Sequence, residues 1–539
     1  MRPAIPYIYF ILPFFLLLPM TSAAQWQFDG VPVCNATGEQ YRPAAVSDAS
    51  GMVVAWEDYR SGNGNIYARK VGMNGAVQWS SNGVAVCTAP DQQLAPAIAW
   101  DGVGGTIIVW EDYRSTATSG DIYAQRISST GQTLWGTNGV LICNEANVQM
   151  RPAITGDGQG GAYIAWEDYR TGSGNIFVQH INSSGLVSWT ANGIAVATVN
   201  GSRYAPVITT ASGGGIIVAW EENRVAMEYD VYAQYLNATG ARQWGGGALA
   251  VCTVTGFQTQ IAAAADGGSM LLVWQDYRNA TPDIYAQKLT VNGASWQSNG
   301  VSVTLASGIQ EFPAVAPDGT GGLIATWTDY RVTHGDIYAQ RLNQLAVAQW
   351  TNNGIAVCTA SGLQQKARIA ADGNGGAVLS WLDYRISNGD VYAQRLSAAG
   401  GSLWQSNGIG VCTTTDIQQS PVVTSDHSGG AVIAWTDYRG QSGDIYAQRI
   451  AQSGTPFPVR LLSFSGLREH DGVRLRWQTA SEQNAWGFDI QSRKHDGTFR
   501  SEGFVPAKSP AGAGYEYHIP ATQGEVFRLR IVDLDGSEQ

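Results

Sequence analysis

Lysine is scarce in this chain. It supplies five of 32 basic residues, and charged side chains together make up only 14% of 539 residues. With a formal net charge of -11, no basic surface remains for non-specific nucleic-acid binding. No helical period of apolar residues occurs anywhere, and past the N-terminus no run approaches the ~18 apolar residues of a spanning helix. The six histidines (His180, His334, His427, His470, His495, His518) are scattered over unrelated positions. Zinc spacing, a nucleophile elbow and a phosphate loop are all missing. The sequence therefore names no catalytic residue, metal or cofactor.

What is present is repetition. A block of about 54 residues returns eight times, reading W-x-D-Y-R, a glycine-rich loop, then D-I-Y-A-Q-R; its strand tryptophans are Trp56, Trp110, Trp166, Trp220, Trp274, Trp327, Trp381 and Trp435. A period of that size with several strand-like runs marks a propeller or a related array. In the last copy Pro421 opens a short strand, Asp426–Gly430 a turn, Ala431–Trp435 a continuous apolar strand, and Asp444–Ile450 an alternating one. Other copies add a fourth strand, as in Trp404–Cys412. The fold class expected is all-β: an eight-bladed β-propeller of four-stranded blades, residues 25–455, followed by a β-sandwich. The fourth-strand element first appears at Trp26–Cys34, before any blade, and is missing after Ile450. The N-terminal segment is thus expected to complete the last blade, the alternative being that this element opens each blade.

Arg2, the apolar stretch Ile5–Met20 and Ser22-Ala23-Ala24 read as a secretory signal peptide, residues 1–24. The expected location is secreted or at the outer cell surface, with the periplasm as the other option and no membrane span after cleavage. Cys34, Cys87, Cys143, Cys252, Cys358 and Cys412 share one repeat position, filled elsewhere by Ala197 and Thr304. Equivalent positions on an outer strand lie about 15 Å apart, beyond the ~7 Å reach of a disulfide. Buried free thiols are expected rather than disulfides or a metal ring.

The pattern Pro, Asp-Gly, apolar strand, Arg-x-Gly, Asp-Ile-Tyr resembles the WD-repeat-like propeller repeat of the TolB kind over residues 41–450. Leu475–Ser481, Gly487-Phe488 and Val532–Gly536 resemble a fibronectin-type-III-like module, residues 456–539, of the sort found in secreted proteins of Bacteroidetes-type bacteria before a type IX sorting domain. The chain stops at Gln539, and the module is read as incomplete. Such repeats serve binding proteins and enzyme accessory domains alike.

Seven copies place Asp-Tyr-Arg on one loop face, and the candidate ligand face is Tyr59, Arg60, Tyr113, Arg114, Tyr169, Arg170, Tyr277, Arg278, Tyr330, Arg331, Tyr384, Arg385, Tyr438 and Arg439. The local reading is that Asp caps its own turn while Arg pairs with the acidic residue opening the next strand, as Arg439 with Asp444. The Asp-Gly turns at Asp101, Asp157 and Asp372 read as hairpin turns rather than calcium loops. Copy four departs from the pattern, and Glu221, Glu222, Glu228 and Tyr229 form the candidate unique site. The functional expectation is an exported, non-catalytic recognition or scaffold protein for glycan or protein partners. The alternatives are a carbohydrate-active propeller enzyme (glycosidase or lyase) and a self-associating matrix or stalk component.

Overall fold

The computed structural model describes residues 26–454 except 28, 116–118, 225–227 and 387, and residues 460–533 except 470, 482–484, 494–497, 509–512 and 521–525. The signal segment expected at 1–24 lies outside the described residues.

The fold is all-β and propeller-like, with no helix among the described residues. Eight antiparallel sheets follow one another. In the first, Gln40–Asp48 is innermost, then Gly51–Asp58, Asn65–Gly72 and Val84–Cys87. The second strand is buried along its whole length, which is why its sequence is continuously apolar. Each innermost strand contacts the next, and the strand Gln418–Ser425 in turn contacts Gln40–Asp48, where Ser47 Oγ donates to the Ser425 carbonyl at 2.7 Å. The last of these sheets runs Val31–Cys34, Asp444–Ile450, Ala431–Asp437, Gln418–Ser425, with Val31 opposite Ala447. Its outer strand thus comes from the N-terminal end of the chain, the first of the two arrangements weighed from the sequence.

The eight repeat tryptophans are fully buried, and seven of them, all but Trp220, stack on the aromatic ring of the neighbouring strand, as Trp56 on Tyr67 with centroids 6.4 Å apart. Close contact with Trp56 explains the Asn-Gly turn beside it. A Cβ on Gly83, at φ +91°, would stand 2.5 Å from Trp56 Cη2. The apolar clusters bridge adjacent sheets. One joins Val33 and Cys34 to Val432, Ala434, Ile445 and Ala447 on one side and to Met52, Val54 and Trp56 on the other.

Beyond residue 460 two three-stranded sheets share one cluster. Arg460–Glu469, Gly472–Ser481 and Gly514–Pro520 form the first; Phe499–Pro506, Ala485–Arg493 and Phe527–Asp533 form the second. Leu475, Trp477, Phe488, Ile490 and Tyr515 pack between them, with Trp477 and Tyr515 stacked at 5.2 Å.

Candidate functional site

Each Asp-Tyr-Arg segment folds into a clamp. Asp58 Oδ2 accepts from Trp56 Nε1 at 2.8 Å and from Arg60 Nη2 at 2.6 Å, while Oδ1 accepts from Arg60 Nε at 2.7 Å and from its backbone N–H at 3.0 Å. The same guanidinium donates to the Asn82 carbonyl at 2.8 Å, lies 3.3 Å from Cys34 Sγ and stacks 3.9 Å over Tyr67. Arg114, Arg170, Arg278, Arg331, Arg385 and Arg439 repeat the bidentate pairing with Asp112, Asp168, Asp276, Asp329, Asp383 and Asp437.

This corrects the partner expected from sequence. Arg439 turns back to Asp437 rather than forward to Asp444, because the buried Asp437 carboxylate already faces Trp435 Nε1 and offers a fork geometry. Against the burial that would raise it, bonds from Arg439 and Trp435 hold Asp437 below the ordinary carboxylate range. Asp444, left out of the clamp, is pushed up to about 6 by burial and by the charge of Asp437.

The six cysteines are free and buried. Sequence reasoning treated them as apolar filling. Their sulfurs in fact lie against the clamp, as Cys87 Sγ at 3.1 Å from Arg114 Nη2. Burial pushes the Cys34, Cys87, Cys143, Cys252 and Cys358 thiols up to about 12.

Tyrosines of the same segments turn toward the residue that follows the repeat tryptophan. The residue after each repeat tryptophan is Glu57, Glu111, Glu167 and Glu221 in the first four sheets, then Gln275, Thr328, Leu382 and Thr436. Tyr59, Tyr113 and Tyr169 hydroxyls lie 3.4, 3.2 and 3.1 Å from Glu57, Glu111 and Glu167. The other carboxylate oxygen accepts a backbone N–H of the next innermost strand: Ala95 at 2.7 Å, Arg151 at 2.8 Å, Ala205 at 2.8 Å. Those donors sit at a bulge with positive φ in every innermost strand, for example Arg42 at 49° and Lys366 at 56°. Among the remaining tyrosines, Tyr277 accepts from Gln275 Nε2 at 3.0 Å, burial and Glu311 push Tyr330 up to about 12, Tyr384 flanks Gly389, and burial raises Tyr438. This acidic half-ring went unnoticed in the sequence, although W-E-D against W-Q-D, W-T-D or W-L-D is a visible signal.

The candidate unique site divides. Glu222 takes the clamp position, fully buried, accepting from Trp220, Arg224 and Arg203 at 2.8, 2.7 and 3.0 Å. Glu221 instead takes the position of Glu57, Glu111 and Glu167, accepting from the Ile261 N–H at 3.5 Å. Burial, with the charge of Glu167 adding, pushes it up to about 6. Its register partner is Tyr204, so the two side chains share one face of the sheet. Tyr204, Tyr229, Phe257 and Tyr277 then form a run of rings with centroids 5.9, 6.1 and 6.1 Å apart, Phe257 being 39% exposed. Glu228 adds its charge to the burial that pushes Asp230 up to about 6.

The opposite face carries a second, structural pairing. Asp101 Oδ1 accepts two turn N–H groups at 2.8 Å and its Oδ2 pairs with Arg126, so the turn is closed by protein groups. Asp157 and Asp372 are held alike, with His180 at 2.9 Å and Arg395 at 2.8 Å as partners. Among the described residues one group of three possible metal ligands occurs, Glu469, Asp471 and His518 within 4.8 Å, and Arg474 already occupies Glu469.

No family model matches the chain. A Protein TolB homolog of Chlorobaculum tepidum is 30% identical over 80 residues, 15% of this chain, and the match spans 18% of that relative's length. Among solved structures, a polysaccharide lyase, an ulvan lyase, is 9% identical with TM-score 0.40, covering 80% of this chain and 96% of its own. A Mycobacterium tuberculosis puromycin-hydrolyzing peptidase is 11% identical with TM-score 0.42 (77% and 60%), and an endo-arabinase from Bacteroides thetaiotaomicron is 14% identical with TM-score 0.29 (51% and 99%). All of these similarities are low.

Proposed function

We propose that the chain is an exported eight-bladed β-propeller with a C-terminal fibronectin-type-III-like sandwich, and that it acts on extracellular glycans at the mouth of its channel. Aromatic faces stack on sugar rings, and the run Tyr204–Tyr229–Phe257–Tyr277 offers such a platform. The observation that carries the reading is the seat of Glu221. It is the one carboxyl of the half-ring pushed up to about 6, opposite Tyr204, the first ring of that platform, in the repeat that departs most from its siblings. A carboxyl raised toward the neutral range suits general acid or base work at a glycosidic bond or sugar ring.

The test is incubation of residues 25–539 with soluble bacterial, plant and host polysaccharides, following new reducing ends and unsaturated products. Glu221→Gln should keep binding and abolish release. Product release undiminished in that variant would remove Glu221 from the chemistry.

Non-catalytic recognition is the second reading. It is favoured by the fact that Glu57, Glu111 and Glu167 each commit one oxygen to a neighbouring backbone N–H. Glycan-specific stabilisation without any cleavage would select it. A screen with no response, together with concentration-dependent light scattering, would point to self-association instead.

A further inference from the structure

The central channel carries one charged side chain along its waist. At the position three residues past the loop-face end of each innermost strand's bulge pairing, where the partner precedes the repeat tryptophan, five repeats have alanine (Ala44, Ala97, Ala153, Ala262, Ala314) and two have valine (Val207, Val422). The seventh has Arg368, opposite Ser380. Arg368 lines a cavity of about 450 Å³ whose other walls are alanine, proline, valine and isoleucine from six of the eight innermost strands. Every other repeated arginine of these sheets is spent on a carboxylate clamp or a carbonyl. Arg368 is exposed to the channel and, among the described residues, no group accepts a hydrogen bond from it. The surrounding walls are apolar, and their crowding lowers its pKa from the ordinary arginine value. A guanidinium in that setting lacks a counter-charge, and its fork matches a planar or tetrahedral oxyanion.

We propose that Arg368 is an anion-binding residue of the channel, which takes the carboxylate or sulfate half-ester of an acidic sugar. The proposal rests on the glycan reading above and narrows it from glycans in general to acidic ones. Both ligand chemistries present the same singly charged oxyanion, and the cavity is large enough for one sugar ring.

The experiment is thermal shift and calorimetric titration of residues 25–539 with glucuronate, glucose 6-sulfate, inorganic sulfate and neutral glucose, on the wild type, Arg368→Ala and Arg368→Lys. Arg368→Ala installs the residue that five sibling repeats already carry, so it should fold and, without ligand, melt no lower than the wild type. The expected result is a rise of about 2–4 °C with the acidic sugars at saturation and none with glucose. Affinity should fall about 10–100-fold in Arg368→Ala and be partly kept in Arg368→Lys. Equal responses in wild type and Arg368→Ala, or no response of the wild type to either acidic sugar, would overturn the proposal. A response to glucuronate alone or to glucose 6-sulfate alone would assign the oxyanion. Inorganic sulfate binding without either sugar counts against it. The two readings fail separately: neutral polysaccharides that bind equally well in both proteins would leave the glycan function standing without an acidic preference. Acidic sugars that bind through Arg368 while no polysaccharide does would leave the anion site and remove the glycan-processing role.

Discussion

Arg439 donates through Nη2 to the backbone carbonyl of Asp29 at 2.6 Å, two residues separated by 410 positions in the chain. In six of the other seven sheets the corresponding arginine reaches an Asn-Gly turn of its own repeat, as Arg114 reaches the Asn138 carbonyl at 2.8 Å, while Arg224 reaches the Gly247 carbonyl. Asp29-Gly30 therefore stands in for the Asn-Gly that the last repeat lacks. Asp29 also reproduces the side-chain half of the turn, since its Oδ1 accepts from Thr413 N at 2.9 Å as Asn138 Oδ1 does from Thr88 N at 3.0 Å.

Deleting residues 25–36 should consequently do more than shorten a terminus. It removes the pairing partner of Asp444–Ile450, exposes Val432, Ala434, Ile445 and Ala447, and leaves Arg439 short of one acceptor. Losing several buried side chains at about 1.5–3 kcal/mol each predicts a drop in unfolding free energy on the order of 5 kcal/mol or more. Denaturant titration checks this, and a change below about 1 kcal/mol would mean the segment is a passive leader.

The clamp predicts a steep and general sensitivity. Asp112→Ala strands a buried Trp110 Nε1 and an arginine fork together. Removing one member of a buried pair costs about 3–5 kcal/mol. Arg114→Lys keeps the charge but loses the planar fork and the stacking on Tyr123, and should fall in between. The measurement is the midpoint of chemical denaturation for the three proteins, and an Asp112→Ala protein as stable as wild type would refute the clamp.

Much of the fold was legible because it is written eight times. A second strand that is apolar throughout, a third that alternates and a surplus fourth element ahead of the first repeat were enough to anticipate the sheets and the pairing of Val31–Cys34. What failed was direction. Arg439 has acidic residues two positions back and five ahead, and only the turn geometry and the Trp435 N–H select Asp437. The half-ring Glu57, Glu111, Glu167 and Glu221 was hidden for a related reason. Which face a strand side chain takes depends on register, and the bulge at Arg42 and its equivalents shifts that register. Arg368 looks like any surface arginine until the innermost strands are placed around one channel.

The aspartates that open the third strand give a pH dependence of unusual sign. Burial, with the clamp carboxylate adding, pushes Asp336, Asp390 and Asp444 up to about 6. Their folded values stand above the unfolded value of about 3.9, so the folded state holds these protons longer. Stability from these groups falls as pH rises from about 4 to about 6 and stays level above. Repeats one and three carry Asn65 and Asn175 at this position. Replacing all three aspartates by asparagine should therefore stabilise the protein at pH 8, on the order of 1 kcal/mol per site after solvent screening. The gain should vanish below about pH 4. Urea titrations at both pH values decide it, and a gain equal at both would exclude an ionisation effect.

Three substitutions travel together in repeat four, and their coupling can be transplanted. Where Cys143 and Asp168 meet Arg170 in repeat three, with Gln149 opposite Asp168 in register, repeat four has Ala197, Glu222 and Arg224, with Arg203 opposite Glu222. The side chain of Glu222 is one methylene longer, in the one repeat whose cysteine is replaced by alanine, and Arg203 brings a second guanidinium to the same carboxylate. Cys143→Ala alone removes a buried sulfur that lies 3.3 Å from Arg170 Nη2 and should cost about 1–2 kcal/mol. Asp168→Glu alone overfills the site and should cost a similar amount. Together they should be milder than their sum by about 0.5–2 kcal/mol, and adding Gln149→Arg should recover more, as expected for residues in one network. The thiol itself offers a readout of intactness, since burial pushes Cys143 up to about 12 and alkylation should wait for unfolding. Strict additivity across the cycle would show that the three positions vary independently and that the sulfur does no more than fill space.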